Sequence, residues 1–270
     1  MKTLKDHVIL YDEVCPMCNL YTGAFVKSGM LDNNGREPYQ NMDCRLKGMI
    51  DTKRAVNEIA LVDRRTGEVF YGVRSLFRVL EHSFPVFRPL FRFKPFAWLM
   101  GKIYSFISYN RRVIMPAAAD AASPEHNPSF SLKYRLLYLL FTWLVTATLL
   151  YGYSHPLDGV VPASDFYREF LVCGGQMVWQ GLILFFLDRE KVWDYLGNMM
   201  TISFAGGLLL GLVSLSGGLV DEPLFFAGAF MAVAGLMLLE HIRRTKLLEV
   251  TWIMTLTWVA YRVLLLFVIL

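Results

Sequence analysis

Residues 134–270 consist almost entirely of long apolar blocks, whereas residues 1–133 break their apolar positions into short runs separated by charges. A predominantly apolar stretch of about 20 residues crosses the hydrocarbon of a bilayer as a helix. Five such stretches are predicted, over residues 134–153, 166–187, 195–215, 224–241 and 250–270. In the first half, "HVILY" is an apolar, β-branched run that predicts a buried strand. "LYTGAFVKSGML" places Leu20, Ala24, Val26 and Leu31 at broadly helical spacing, with Gly29 near the stop. "EPYQNM" predicts a short second strand, and "RLKGMIDTKRAV" a helix or a helix and loop. "EIALVDRRTGEVFYG" has two apolar runs around residues 64–67, the signal of a hairpin. "VRSLFRVLEHSF" predicts an amphipathic helix with Val73, Leu76, Phe77 and Leu80 on one face.

The resulting order, β-α-β-α-β-β-α, is that of an α/β thioredoxin-like domain over residues 1–83, ahead of an all-α transmembrane bundle over 134–270. Between them, residues 84–116 hold six Lys/Arg, no acid and many aromatics. Such a segment suits an anionic membrane surface, with its aromatics in the interface and its cations on headgroups. It also suits a closing helix of the soluble core through Phe96, Leu99, Ile103 and Phe106, and the two roles can occupy opposite faces. Residues 117–133, beginning "AAADAASPEHNPS", have a linker composition.

Charge supports this division. Residues 1–133 carry 19 Lys/Arg against 13 Asp/Glu, and residues 134–270 carry 8 against 10. Mean hydropathy over the chain is +0.39, above that of a soluble enzyme. No nucleic-acid motif accompanies the basic half, so the bilayer, not nucleic acid, is its expected partner. Lys and Arg also orient the spans. "DREKVWD" and "HIRRTKLLE", the second and fourth connections, hold Arg189, Lys191, Arg243, Arg244 and Lys246, while "SHPLDGVVPASD" and "SGGLVDEP" hold none. This alternation predicts a multi-pass protein of a cell (inner) membrane, with a cytoplasmic N-terminal domain and an outward C-terminus. The first residues, "MKTLKDHVILYDEVC", have too short an apolar run for a signal peptide.

Within the spans, Gly206, Gly207, Gly211, Gly228 and Gly235 are candidate packing positions. Arg262 and Glu169 fall in the outer half by residue counting and are an expected ion pair, Glu240 being a poorer match in depth. The alternative for Arg262 is snorkelling alone. Gln176, Gln180 and Asn198 are candidates for a polar cavity or for interhelical hydrogen bonds.

The chemistry-bearing motif is "YDEVCPMCN". Cys15 and Cys18 stand at the first strand-to-helix junction, the context in which a cytosolic CxxC is a redox motif. First-turn N–H groups and the helix dipole favour a thiolate at Cys15. Pro16 fits the first helical position, where its missing N–H is not needed. Cys15 is then the nucleophile and Cys18 the resolving thiol. Asp12 is a candidate proton acceptor for the resolving thiol, or a cap for the loop. A zinc site needs four ligands, and Cys44, His7 and His82 are scattered, so no metal is assigned. Cys44 is a packing residue or a third thiol, and Cys173 a small hydrophobe within a span.

Three stretches carry a family likeness. "ILYDEVCPMCN", with Asp12, Cys15 and Cys18, resembles the start of the DCC-type (DxxCxxC) thiol-disulfide oxidoreductase-like proteins. "VFYGVRSLFRVL" looks like that family's strand, glycine (Gly72) and helix. "IYSFISYNRRVIMP" is similar to its closing tyrosine-containing helix with an Asn-Arg pair, Asn110 and Arg111. The likeness covers residues 7–115 and implies a thioredoxin-like dithiol oxidoreductase. Ordinary thioredoxins place a cis-proline just before the hairpin strand, but here "RAVNEIALV" has none, which argues against peptide binding of that type. The likeness does not extend to residues 134–270.

The leading expectation is a membrane-bound thiol-disulfide oxidoreductase that exchanges with an unidentified thiol or disulfide partner and needs no cofactor. One alternative is an electron relay to a quinone or other lipid-soluble carrier bound by the helices. Another is a non-enzymatic anchor or transporter-like module with a redox-sensing or metal-binding CxxC domain.

Overall fold

A computed structural model describes residues 1–117, 129–157, 159–162, 165–218 and 222–269. Most of the expected linker, 118–128, therefore lies outside the described residues. The chain divides into two units, Met1–Tyr134 and Arg135–Leu270.

In the first unit the strands are β1 (His7–Tyr11), β2 (Arg36–Pro38), β3 (Ala60–Asp63) and β4 (Val69–Tyr71). They form one mixed sheet in the order β2-β1-β3-β4. β1 pairs parallel with β2 and antiparallel with β3, and β3 pairs antiparallel with β4. Side chains alternate across a strand, so the central strands divide their residues between two cores. Ile9, Tyr11 and Leu61 face one core, and Val8, Leu10, Ala60 and Val62 face the other. This is why "HVILY" is apolar at every position after the histidine: both faces of β1 are covered. The first core is built with α1 (Pro16–Lys27) and α4 (Val73–Ser83), and the second with α2 (Cys44–Lys47) and α3 (Thr52–Asn57).

Local chemistry sets the ends of these elements. "RLKGMIDTKRAV" is divided into α2 and α3, each started by an aspartate, Asp43 and Asp51, whose carboxylate accepts a first-turn N–H. α1 stops at Lys27, and Gly29 takes the left-handed backbone, φ +73°, that turns the chain toward Leu31. The face of α1 is not the expected one. Leu20 is exposed, and Cys18 and Thr22 are buried beside the partly buried Tyr21 and Phe25. Gly72, φ +61°, starts α4, and its N–H donates to the Ile59 carbonyl.

After α5 (Arg88–Arg92) comes α6 (Lys94–Ile114). The inward face of α6 differs from the expectation. Tyr104, Ser108 and Arg111, at i, i+4 and i+7, reach the body of the unit through the Ile59 N–H, the Asn57 carbonyl and the Val56 carbonyl. Leu99 and Ile103, expected in the core, are exposed with Trp98 and Ile107. Phe96 does pack inward, stacked on Phe77 at 6.0 Å. The polar tips that face inward find backbone partners, which leaves the apolar stripe of α6 on the outside.

The second unit is helical: α7 (Leu132–Ser154), α8 (Phe166–Leu187), α9 (Val192–Ser214), α10 (Pro223–Leu247) and α11 (Ile253–Ile269). α7 through α10 are each long and apolar enough to cross a membrane. α11, the expected fifth span, begins three residues late and has 17 residues, about 25 Å at the α-helical rise. α10 runs six residues past its expected end, so Arg243, Arg244 and Lys246 lie on its last turns and not in a loop.

Small residues allow close packing at some of the expected positions and not at others. A side chain on Gly206 would strike the Met237 thioether, and one on Gly211 would lie 3.1 Å from Leu149. Gly228 and Gly235 have nothing nearby. On α8, Gly174 makes room for Trp143 and Gly175 for the Tyr261 hydroxyl, which donates to the Val172 carbonyl at 2.9 Å.

The bundle interior is joined by hydrogen bonds from four helices. Tyr195 donates to Gln180 at 2.9 Å, and its hydroxyl lies 3.0 Å from His241 Nε2. His241 Nδ1 meets Thr255 at 3.3 Å, and Thr257 meets Gln180. Arg244 donates to Asn198 at 3.0 Å and to Glu240 at 2.7 Å. Gln180 and Asn198 thus serve as interhelical hydrogen-bonding groups.

The Arg262–Glu169 pair is not formed. Arg262 donates to Gln176 Oε1 at 3.4 Å, and Glu169 accepts from Arg168 at 3.0 Å. The reason is depth. The later start of α11 puts Arg262 about 13 Å from the beginning of its helix, and Gln176 lies about 15 Å along α8. The helices run antiparallel, since Thr257 meets Gln180 while Tyr261 meets Val172, so these mid-helix positions coincide.

Candidate functional site

The β1–α1 junction builds the site. Cys15 has extended backbone (φ −83°, ψ 111°) and is the residue before the first helical turn, which Pro16 opens. Its own N–H donates to the Asp12 carbonyl at 3.1 Å, which closes the turn out of β1. Its Sγ accepts the Cys18 N–H at 3.5 Å, so the sulfur does what a serine or aspartate oxygen does at other helix starts. Cys18, one turn on, turns its thiol toward Cys15 and receives the Tyr21 hydroxyl at 3.9 Å. Both cysteines carry free thiols.

The environment separates the two thiols. Cys15 is held down to about 6 by the hydrogen bond from the Cys18 thiol and by the Arg111 guanidinium and Cys18 N–H, against burial and the Asp12 charge. Cys18 is pushed up by the same hydrogen bond and by burial. The surrounding phenols stay protonated: burial raises Tyr21 and Tyr39, and lifts Tyr104 to about 12. One thiolate and one thiol, sharing a proton between them, is the division of labour that dithiol exchange needs.

Asp12 is 1% exposed and carries four hydrogen bonds. Its Oδ1 accepts from the Val14 N–H at 3.2 Å and Gln40 Nε2 at 2.8 Å. Its Oδ2 accepts from Arg111 and Arg112, each at 3.2 Å. Arg111, itself buried, also donates to the Val56 carbonyl at 2.9 Å. The carboxylate thus ties the end of α6 to the turn that carries Cys15.

Access differs from what the motif alone suggests. Cys15 is 0% exposed and packs with Cys18, Ile59 and Val79 in the core, with Tyr21 and Tyr104 against them. The Ile59 N–H, at the edge leading into β3, is taken by the Tyr104 hydroxyl at 2.9 Å. A macromolecular disulfide reaches this sulfur only after local opening.

Of the residues expected at the site, Asp12, Cys15 and Cys18 are together. Cys44 lies exposed at the start of α2, on the sheet face away from the dithiol, and Cys173 is buried in α8. His7 meets Asp63 at 4.0 Å and His82 the Thr3 carbonyl at 3.1 Å, both away from the thiols. Among the described residues, no group of three or more His, Cys, Asp or Glu is gathered as for a metal. Sequence reasoning missed Gln40, Tyr21, Tyr104 and Arg112 as members of the site, and noted Arg111 only as part of an Asn-Arg pair. Set against protein-family models, curated proteins and solved structures, the chain matches none of them.

Proposed function

We propose that the chain is a membrane-bound thiol-disulfide oxidoreductase whose first unit is a thioredoxin-like domain of the DCC type. The observation that carries this reading is the asymmetric dithiol at the start of α1, with Cys15 lowered to about 6 and Cys18 raised. The sheet order β2-β1-β3-β4, with β1–β2 parallel and β3 antiparallel to β1, supports the fold assignment. In the reaction, the Cys15 thiolate attacks a partner disulfide, forms a mixed disulfide and releases one partner thiolate. Cys18 then gives up its proton and attacks Cys15 Sγ, releasing the second. The partner gains two electrons and the protein holds a Cys15–Cys18 disulfide; the reverse sequence oxidises a partner dithiol. Asp12 acts here as a positioning residue, because accepting a proton would weaken its bonds to both arginines.

The same reading places five spans in an inner membrane with the dithiol on the cytoplasmic side, on the strength of Arg189, Lys191, Arg243, Arg244 and Lys246. The exposed Trp98, Leu99, Ile103 and Ile107 of α6, beside Arg88, Arg92, Lys94 and Lys102, support contact with anionic headgroups. Trapping tests the exchange. In the full chain, Cys18→Ser keeps a hydroxyl donor for Cys15 and removes the resolving thiol. It should accumulate a reducible covalent adduct on Cys15 that Cys15→Ser does not form; equal adducts in both variants would sink the assignment of Cys15 as nucleophile.

A further inference from the structure

The helical unit contains a group of buried donors that no acceptor among the described residues satisfies. The Arg262 guanidinium carbon lies 3.8 Å over the Trp258 ring centroid, and its Nη2 donates to Gln176 Oε1 at 3.4 Å. Arg262 therefore touches both of the other side chains. Each also holds a buried nitrogen without an acceptor: Arg262 Nε, Gln176 Nε2 and Trp258 Nε1. Trp258 is 2% and Gln176 7% exposed. Among the described residues no carboxylate pairs with Arg262, and Glu169, the acid expected there, is held by Arg168.

An unmet buried donor loses its hydration with nothing in return, and a buried charge left without a partner loses more. Two unmet donors beside a cation that has a third of its own, and that no carboxylate among the described residues neutralises, are complementary to an oxygen-bearing anion. Of the three side chains only Gln176 offers an oxygen acceptor, and it already receives Arg262, so the cluster offers unmet donors and a positive charge, which favour an anion over a cation. The outer faces of the two helices are apolar and exposed, with Leu171 and Val178 on α8 and Val263 and Leu264 on α11. With both helices read as membrane spans, an anion that reaches this depth from the bilayer carries an apolar chain. His241 stacks on Trp258 at 5.0 Å and joins the Tyr195–Gln180 hydrogen bonds, which hold the indole in place.

We infer that Arg262, Gln176 and Trp258 form a binding site for the oxyanion head, carboxylate or phosphate, of an anionic amphiphile. The site is independent of the dithiol. The test uses the full chain in neutral detergent, stripped of lipid, with oleate and dioleoyl phosphatidate titrated separately and oleyl alcohol and a neutral quinone as uncharged comparators. The readout is the part of the tryptophan fluorescence that Trp258→Phe removes. Saturable change is expected with at least one acid, and whichever saturates tells carboxylate from phosphate. Binding should be at least tenfold tighter than for the alcohol or quinone, a comparison that needs no variant. Arg262→Gln should weaken it at least tenfold and Gln176→Leu severalfold, while Arg262→Lys, which keeps the charge, should fall between wild type and Arg262→Gln. The inference is overturned if neither acid saturates, in which case water alone meets these donors. It is equally overturned if the uncharged ligands bind as tightly as the acids, or if both Arg262→Gln and Gln176→Leu leave acid binding unchanged.

Discussion

Asp12→Ala is expected to destabilise the first unit by about 3–5 kcal/mol, the cost of removing one partner from a buried ion pair. Asp12 and Arg111 are both buried, and Arg112 is largely so, so the substitution leaves the Arg111 charge in the interior with only its Val56 carbonyl bond and takes the carboxylate from Arg112 as well. It also frees the Val14 N–H and the Gln40 amide. The loss is read from urea-dependent alkylation of Cys15 and Cys18, followed peptide by peptide, because both thiols are buried only while the unit is folded. Adding Arg111→Met to Asp12→Ala should recover part of the loss, since the second change removes the stranded charge. An Asp12→Ala variant within about 0.5 kcal/mol of wild type, the range of ordinary surface substitutions, would show that Asp12 does not hold α6.

The second large effect is in the titration of Cys15. Its thiolate should form with a midpoint of about 6, followed by ultraviolet thiolate absorbance with Cys15→Ser as the blank. An ordinary cysteine titrates near 8.5. The greatest cause of the lowering is the hydrogen bond from the Cys18 thiol, so Cys18→Ala should move the midpoint up the furthest, and Arg111→Gln by less. The sign for stability follows. Between about 6 and 9 the unfolded chain keeps the Cys15 proton that the folded chain has lost. The reduced form therefore gains stability as pH rises through this window and loses it as pH falls through 6. A midpoint near 8.5 in the wild type, unmoved by Cys18→Ala, would contradict the asymmetric dithiol.

The order of elements in the first unit was legible because strand and helix periodicities differ, and "HVILY" and "EIALVDRRTGEVFYG" have little else to form. The dithiol's place was legible from its position between a strand and a proline. The members contributed from afar were not. Gln40, Tyr104 and Arg112 come from 28, 92 and 100 residues beyond Asp12, and no local pattern marks a side chain that completes a hydrogen bond across the fold. The burial of Cys15 was illegible for the same reason, since α6 had its polar positions and not its apolar ones turned inward. In the second unit the apolar blocks gave the helices. The partner of Arg262 on α8 was not legible: Gln176 lies seven residues, about 10.5 Å, from the expected Glu169, and the three-residue later start of α11 accounts for about 4.5 Å of that.

The most direct measurement is a redox titration of the full chain in graded glutathione buffers, with Cys15 and Cys18 quantified by differential thiol trapping. A reduced form stabilised by the Cys15 thiolate makes the disulfide more oxidising. The expected result is one two-electron transition shared by both cysteines, at a potential less negative than the roughly −270 mV of thioredoxin, and moved to more negative values by Arg111→Gln. Two free thiols at every point of the titration would contradict the proposed function outright.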